Sequence, residues 1–155
     1  MKQRIYIDTS VVGGYFDDEF AQDTVPFFER VKNGELKIIV SDLLEAELLG
    51  APTFVKDLLK SIPMESVEKV RLGKEATELA NKYVDAKVVG RTSLADCQHI
   101  AMATLCNADV LVSWNFKHIV NLDRIRGYNG INHQSGYKMI EIRTPKEIKR
   151  YESED

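Results

Sequence analysis

The sequence has few cysteines and no long apolar run, and each shortage argues against a class of protein. Its two cysteines, Cys97 and Cys106, lie in one apolar segment and form no CxxC pair. This argues against a disulfide framework or a thiolate zinc site and favours a reducing, cytoplasmic setting. No apolar run approaches the roughly 20 residues of a membrane-spanning helix. The start MKQRIYID reaches an aspartate too soon for a signal peptide, so we expect no membrane partner.

The chain also lacks an excess of positive charge. Its 21 lysines and arginines stand against 24 aspartates and glutamates, which gives a net charge of −3. A global basic field, of the kind that drives non-specific nucleic-acid binding, is therefore absent, and any phosphate-bearing partner must be held locally. With 44% hydrophobic content, 155 residues can bury one ordinary core, so we expect a single domain over residues 1–155.

Apolar runs of strand length alternate with segments of helical period. The predicted strands are RIYI, LKIIVS, DVLVS and YKMIEI, and their near-continuous apolar character suits strands covered by helices on both faces. The predicted helices include TVPFFERVKNG, with a cap at its start and an Asn-Gly stop, GKEATELANKYVDAK and SLADCQHIAMATLCNA. The last is apolar almost all round and should be central and buried. The alternation predicts an α/β fold with a mostly parallel sheet.

Two aspartates should lie at the carboxyl edge of this sheet, where open α/β folds bind their ligands. Asp8 ends the strand RIYI, and Asp96 lies in the first turn of the helix that leads into DVLVS. Trp114 and Asn115 follow the end of that strand. These positions are far apart in sequence, yet right-handed crossovers should bring them together.

A third carboxylate is selected by helical phase in DLLEAELLGAP. At about 100° per residue, Glu47 falls between Leu43 and Leu44. Ala51 lies on the same side, whereas Glu45 points well away. A carboxylate among leucines is costly unless it is paired or binds a metal. Asp8, Glu47 and Asp96 are therefore expected to face one pocket.

Four segments together resemble a PIN-domain protein: YIDTSVV, SDLLEAEL, ADCQHIAMA and VSWNFKHI. The resemblance runs from the first strand to the IRTPKEI segment and is strongest for the branch with Asp-x-x-His-Ile-Ala followed by Trp-Asn-x-Lys-His. It implies a three-layer α/β/α fold around a parallel sheet. It also implies a metal-dependent ribonuclease that acts on single-stranded or structured RNA. Because many bacterial members of the family are toxins of toxin-antitoxin pairs, the resemblance further implies a toxin. The partners it implies are RNA and a cognate antitoxin, and a homodimer is a further alternative.

The resemblance places the acidic, catalytic and metal-binding cluster on Asp8, Glu47 and Asp96, the residues that phase and topology also select. A further acidic position of the family is occupied here by Asn115, which brings an amide oxygen and no charge. Clustered oxygen ligands suit hard cations, so the expected cofactor is Mg²⁺ or Mn²⁺. Bound cations would also reverse the local negative potential and allow an acidic protein to bind RNA.

Several neighbours are candidates for substrate contact. Thr9 and Ser10 could orient water at the site, although capping of the following helix ranks ahead of direct chemistry. Lys117 and His118 could hold the substrate backbone.

Two further residues, His99 and Ser113, could support the site by contact with its ligands. For His99, a core histidine with one satisfied nitrogen is the default expectation. Trp114 is expected to pack, although base stacking is open at this edge.

Each acid also has a structural alternative. Asp8 could be a turn residue at the end of a strand. Asp96 completes an S-x-x-D capping box with Ser93, so cap and ligand are equally good interpretations. Glu47 could pair with a buried arginine.

Two other functions also remain open. A non-catalytic PIN-like module could bind RNA or protein, and Asn115 favours it. A small-molecule phosphohydrolase is disfavoured, because DTS lacks an Asp-x-Asp nucleophile pattern and no P-loop is present.

Overall fold

Five strands form one parallel sheet within residues 2–90 and 93–148, the ranges that the computed structural model describes. They are β1 (Arg4–Ile7), β2 (Lys37–Ser41), β3 (Val67–Val70), β4 (Val110–Val112) and β5 (Ile142–Arg143). Their order is β3-β2-β1-β4-β5, and all neighbours are parallel. The chain builds one half of the sheet from β1 outward and then crosses to the other side. The order therefore reverses between β1 and β4.

Helices cover both faces of the sheet. They are α1 (Thr9–Gly14), α2 (Ala21–Lys32), α3 (Asp42–Glu47), α4 (Thr53–Lys60), α5 (Lys74–Asp85), α6 (Leu94–Leu105) and α7 (Leu122–Gln134). Short 3-10 turns span Met64–Ser66 and Pro145–Glu147. None of the helices in the described ranges is long and apolar enough to cross a membrane.

The two faces of each central strand feed two separate cores. In β1, Ile5 and Ile7 pack with α1, α2 and α4, whereas Tyr6 packs with α5, α6 and α7. The residues of β2 and β4 alternate in the same way. Because successive strand side chains point to opposite faces, a strand between two helical layers must be apolar throughout. The expected three-layer α/β/α architecture with a parallel sheet is confirmed.

The helix predictions differ in how well they match the structure. Helix α5 lies within the predicted segment GKEATELANKYVDAK and buries Ala76, Leu79, Ala80 and Tyr83, which recur at helical spacing. Helix α2 begins three residues before Thr24, so the predicted start is wrong. The turn before α2 is held instead by Asp17, whose Oδ1 accepts the backbone N–H groups of Glu19 and Phe20.

The strand predictions miss one edge of the sheet and misplace the other. Strand β3 has the sequence VEKV, and its two charged residues break the apolar pattern. The predicted strand YKMIEI forms ladder pairs only at its last residue, because β5 is Ile142–Arg143. The Asn129 side chain binds both the N–H and the carbonyl of Ile140, and so takes the place of a neighbouring strand there.

Candidate active site at the carboxyl edge

Asp8 lies at the point where the strand order reverses, directly after β1. Its side chain is buried, with 4% exposed. Ser10 Oγ donates to Oδ1 at 2.6 Å, and Ser113 Oγ, from the end of β4, donates to Oδ2 at 2.6 Å. Ser10 Oγ also accepts the backbone N–H of Trp114. Asp8 is thus held by both segments that flank the switch point, which is more than a turn residue requires.

The charge of Asp8 is not balanced by a protein cation. Within the described ranges, no lysine or arginine forms an ion pair with Asp8, and the nearby charged group is His99. Burial raises the pKa of the Asp8 carboxyl, while the hydroxyls of Ser10 and Ser113 and the charge of His99 lower it in part. The structure therefore keeps a carboxylate at an edge where burial disfavours its charged form.

Thr9 and Ser10 do not cap α1, because this helix has no side-chain cap. Ser10 binds Asp8 instead, and Thr9 Oγ1 donates to Glu47 Oε1 at 2.8 Å. The capping interpretation was wrong because both hydroxyls meet tertiary partners that the local sequence does not show. Thr9 and Ser10 therefore contact two of the candidate acids, which agrees with their prediction as residues near the site.

Glu47 is the second acid at this edge, and its partner is a histidine. His99 Nε2 lies 2.6 Å from Glu47 Oε1. A carboxylate only accepts, so Nε2 carries a proton and donates it. His99 Nδ1 lies 2.7 Å from the Tyr6 hydroxyl. Burial raises the pKa of the Tyr6 hydroxyl, so the phenol stays protonated and shares a hydrogen bond with Nδ1.

His99 therefore has both ring nitrogens engaged, which corrects the expectation of a single satisfied nitrogen. Its ring is buried and joins the core residue Tyr6 to the half-exposed Glu47. The hydrogen bond from His99 lowers the pKa of Glu47 and outweighs the effect of partial burial. Glu47 pairs with a histidine rather than with the buried arginine that was its structural alternative.

The two glutamates of α3 point in different directions. The Glu47 side chain, 34% exposed, turns towards Thr9 and His99. Glu45 lies 3.5 Å from Lys69 on the exposed side. The phase argument separates them correctly, although α3 ends at Glu47 and does not extend as far as Ala51.

Asp96 lies in the first turn of α6 and contacts His118. His118 Nδ1 is 3.1 Å from Asp96 Oδ2 and 3.0 Å from Ser93 Oγ. The capping-box alternative for Asp96 is wrong, because Ser93 makes no side-chain cap of α6 and turns to the same histidine. His118, predicted to hold a substrate backbone, is itself held by Asp96.

Asn115 organises the loop that follows β4. Its Oδ1 accepts the backbone N–H groups of Lys117 and His118, and its own N–H donates to Ser113 Oγ. The amide oxygen therefore has two backbone donors already. Lys117 is exposed on the same turn. The structure gives Asn115 a role in fixing a turn beside Asp8.

Aromatic side chains lie next to this turn. Trp114 is 9% exposed, stacks on Phe20 at 4.4 Å and donates from Nε1 to Thr24, so it packs as expected. Phe116, in contrast, is 50% exposed. Sequence reasoning passed over Phe116, although a large aromatic residue between two polar residues of WNFKH is a signal that could have identified it.

The fit of a divalent cation can be judged from the donors present. The oxygen atoms around Asp8 suit a hard ion such as Mg²⁺, and no lysine or arginine in the part of the chain that the structure describes is paired with this carboxylate. Within the described ranges, however, no three aspartate, glutamate, histidine or cysteine side chains lie close enough together to hold a metal ion. Glu47 is held on His99 and Asp96 on His118. The oxygen donors of the three acids are of the kind that Mg²⁺ prefers. To join Asp8 in binding one cation, Glu47 and Asp96 would have to leave their histidine partners.

An apolar cavity of about 490 Å³ lies elsewhere, between α4 and β3. Its lining includes Leu48, Leu59 and Val67 together with Lys60, and none of the three candidate acids. The acids lie instead at the open edge of the sheet.

Comparison with solved structures shows the same fold at low sequence identity. The VapBC2 structure from Rickettsia felis, bound to a DNA fragment from its promoter, matches at 14% identity and TM-score 0.54 over 92% of this chain and 98% of that chain. FitAcB from Neisseria gonorrhoeae matches at 11% identity and TM-score 0.57 over 93% and 99%. Tyrosyl-tRNA synthetase from Aeropyrum pernix matches at 12% identity and TM-score 0.51 over 92% of this chain and 52% of that chain.

No protein-family model and no curated protein sequence matches the chain. The structural likeness to VapBC2 and FitAcB confirms that the chain has the PIN-like fold that its motifs predict. The likeness to about half of a tyrosyl-tRNA synthetase chain shows that a similar arrangement of strands and helices also occurs in a protein with a different name. A function must therefore be argued from the residues at the carboxyl edge.

Proposed function

We propose that the chain is a PIN-like ribonuclease that hydrolyses phosphodiester bonds of single-stranded or structured RNA with the help of Mg²⁺ or Mn²⁺. The observation that carries the proposal is Asp8, a buried carboxylate at the switch point with two hydroxyl donors and, among the described residues, no lysine or arginine in an ion pair with it. A structural aspartate at such a depth would be expected to pair with lysine or arginine. A cation or a cation-bound phosphate offers the missing compensation.

Each acid has a role in this proposal. Asp8 and Asp96 would hold the cation, and Ser10 and Ser113 would keep the Asp8 oxygens in place. Glu47 has a lowered pKa, so it is ionised at neutral pH and can bind the cation or accept a proton from water. The chemistry that a divalent cation supplies in such a site is polarisation of the phosphodiester and activation of water.

The partners in this proposal are RNA and a cognate antitoxin protein, with the chain acting as a cytoplasmic toxin. Support comes from the fold likeness to VapBC2 and FitAcB, the first of which was solved as a complex on promoter DNA. A homodimer is a further assembly within the same proposal.

The second candidate is a PIN-like module that binds RNA or protein without cleaving it. Two observations favour it: Glu47 and Asp96 are both held by histidines, and Asn115 brings no charge. Incubation with a fluorescent single-stranded RNA, with Mn²⁺ or with a chelator, separates the two functions. A nuclease cleaves with Mn²⁺ and stops with the chelator. A binding module retains the RNA intact under both conditions.

A further inference from the structure

Phe116 is a large apolar side chain that the fold holds in solvent beside the candidate site. Half of its surface is exposed. Its ring centroid lies 6.2 Å from that of Trp114 and 6.3 Å from that of Phe20, while Phe20 and Trp114 stack on each other at 4.4 Å. Phe116 is therefore the most exposed ring of a three-ring cluster in which Trp114 is buried and Phe20 is partly buried.

The turn that carries Phe116 is rigidly hydrogen-bonded. Asn115 Oδ1 accepts hydrogen bonds from the backbone N–H groups of Lys117 and His118, the two residues that follow Phe116. The Asn115 carbonyl accepts hydrogen bonds from the N–H groups of Ile119 and Val120. A ring on such a turn loses little conformational freedom when a ligand binds it.

The same turn is linked directly to the buried acid. Ser113 Oγ donates to Asp8 and accepts the N–H of Asn115, the residue before Phe116. Lys117, the residue after Phe116, is exposed and offers a positive charge. An exposed aromatic ring and an exposed cation thus follow directly on the segment that holds Asp8.

We propose that Phe116 is a stacking platform for one unpaired base of a single-stranded RNA, with Lys117 contacting an adjacent phosphate. This inference rests on the proposed ribonuclease function and adds a residue that selects unpaired bases within the proposed RNA substrate. Stacking accepts any base, because each base has a π face, and it requires that the base be unpaired. A double helix presents no such face, so duplex RNA is excluded from the platform.

The chain offers a matched control for this residue. Phe54 is 57% exposed and packs on Phe16, which in turn packs on Tyr15 and not on the rings around Phe116 in the contacts of the described residues. Phe116→Leu and Phe54→Leu each remove one exposed ring and keep an apolar side chain. Phe116→Tyr keeps the aromatic face and should behave as the wild type.

The test measures binding without cleavage, so that it does not depend on catalysis. A 2′-O-methyl single-stranded oligonucleotide is titrated into the protein with Mn²⁺ present, its integrity is checked after the titration, and binding is followed by the anisotropy of a label on the oligonucleotide. Trp114 is the only tryptophan of the chain, and its emission reports a base arriving at the neighbouring ring. We expect Phe116→Leu to weaken binding about tenfold, and Phe54→Leu and Phe116→Tyr to leave it unchanged.

Three results would overturn the platform: equal affinity of Phe116→Leu and wild type, equal affinity for duplex and single strand, or no binding of the single strand by wild type. A failure of the ribonuclease proposal gives a different pattern. In that case the single strand binds in a Phe116-dependent way, and an unmodified RNA is not cleaved when Mn²⁺ is added.

Discussion

Ser113 Oγ donates a hydrogen bond of 2.6 Å to Asp8 Oδ2 and joins the end of β4 to the end of β1. These strands are neighbours in the sheet, although more than a hundred residues separate the two side chains. The contact links the two strands between which the strand order reverses. It also fixes the position of the loop that carries Asn115 and Phe116, so the acid and its surroundings form one structural unit.

The two adjacent glycines of α1 should respond differently to the same substitution. A Cβ on Gly14 would lie 2.7 Å from Trp114 Cδ1 and 3.1 Å from Thr24 Oγ1, so Gly14→Ala should destabilise the fold by about 1–3 kcal/mol. Gly13 has no atom within 4 Å of that position, and Gly13→Ala should leave stability equal or higher. Urea denaturation measures both. Equal midpoints would show that Trp114 does not pack tightly on α1.

The two glutamates of α3 provide a test of the acid cluster. Glu47→Gln should reduce cleavage of single-stranded RNA steeply, because the charged oxygen near Thr9 and His99 is lost. Glu45→Gln should leave cleavage near the wild-type rate, since Glu45 faces Lys69 on the exposed side. Initial rates on one labelled RNA give the comparison. Similar losses in both variants would remove Glu47 from the site.

The lowered pKa of Glu47 also predicts how stability depends on pH. The folded pKa lies below the ordinary value of 4.5, so the unfolded chain takes up this proton first as the pH falls. The stabilising contribution is therefore complete above pH 4.5 and is lost as the pH drops through the folded pKa. The difference in melting temperature between wild type and Glu47→Gln should shrink from about pH 7 to about pH 3. A constant difference would mean that the bond from His99 does not stabilise the ionised form.

Asn115 has two separable roles, and substitutions should distinguish them. Asn115→Ala removes the acceptor of two backbone N–H groups and should cost about 1 kcal/mol of stability, whereas Asn115→Asp keeps an acceptor oxygen for both. Asn115→Asp also adds a charge beside the site and should lower the Mn²⁺ concentration needed for half-maximal cleavage. Asn115→Ala should raise it. If wild type, Asn115→Asp and Asn115→Ala need the same Mn²⁺ concentration for half-maximal cleavage, then Asn115 only fixes the loop and takes no part in metal binding.

The fold could be predicted from the sequence where one strong pattern dominates. Strands β1, β2 and β4 are apolar at successive positions because helices cover both faces. Strand β3 escaped prediction because Glu68 and Lys69 occupy half of it. The start of α2 was misplaced because Thr24 was taken as its cap, whereas the side chain of Asp17 holds the turn before the helix.

The positions of the candidate acids in the fold could be predicted from the sequence, but their hydrogen-bond partners could not. Topology places Asp8 at the sheet edge, and helical phase selects Glu47 over Glu45. The pairing of His99 with Tyr6 and Glu47 joins three separate elements, and no local spacing encodes such a contact. For the same reason the sequence did not reveal that Asp96 is held by His118.

The central claim is that Asp8 is the carboxylate on which cleavage depends, and one comparison tests it most directly. Burial raises the pKa of the Asp8 carboxyl, which means that the fold disfavours its charged form. Asp8→Asn removes this charge, so the variant should remain folded in thermal denaturation. Asp18→Asn removes an exposed charge and serves as the control. With Mn²⁺ and a labelled single-stranded RNA, we predict cleavage by wild type and Asp18→Asn and a loss of about a hundredfold or more in Asp8→Asn. Wild-type cleavage by a folded Asp8→Asn variant, or no cleavage by the wild type, would contradict the claim.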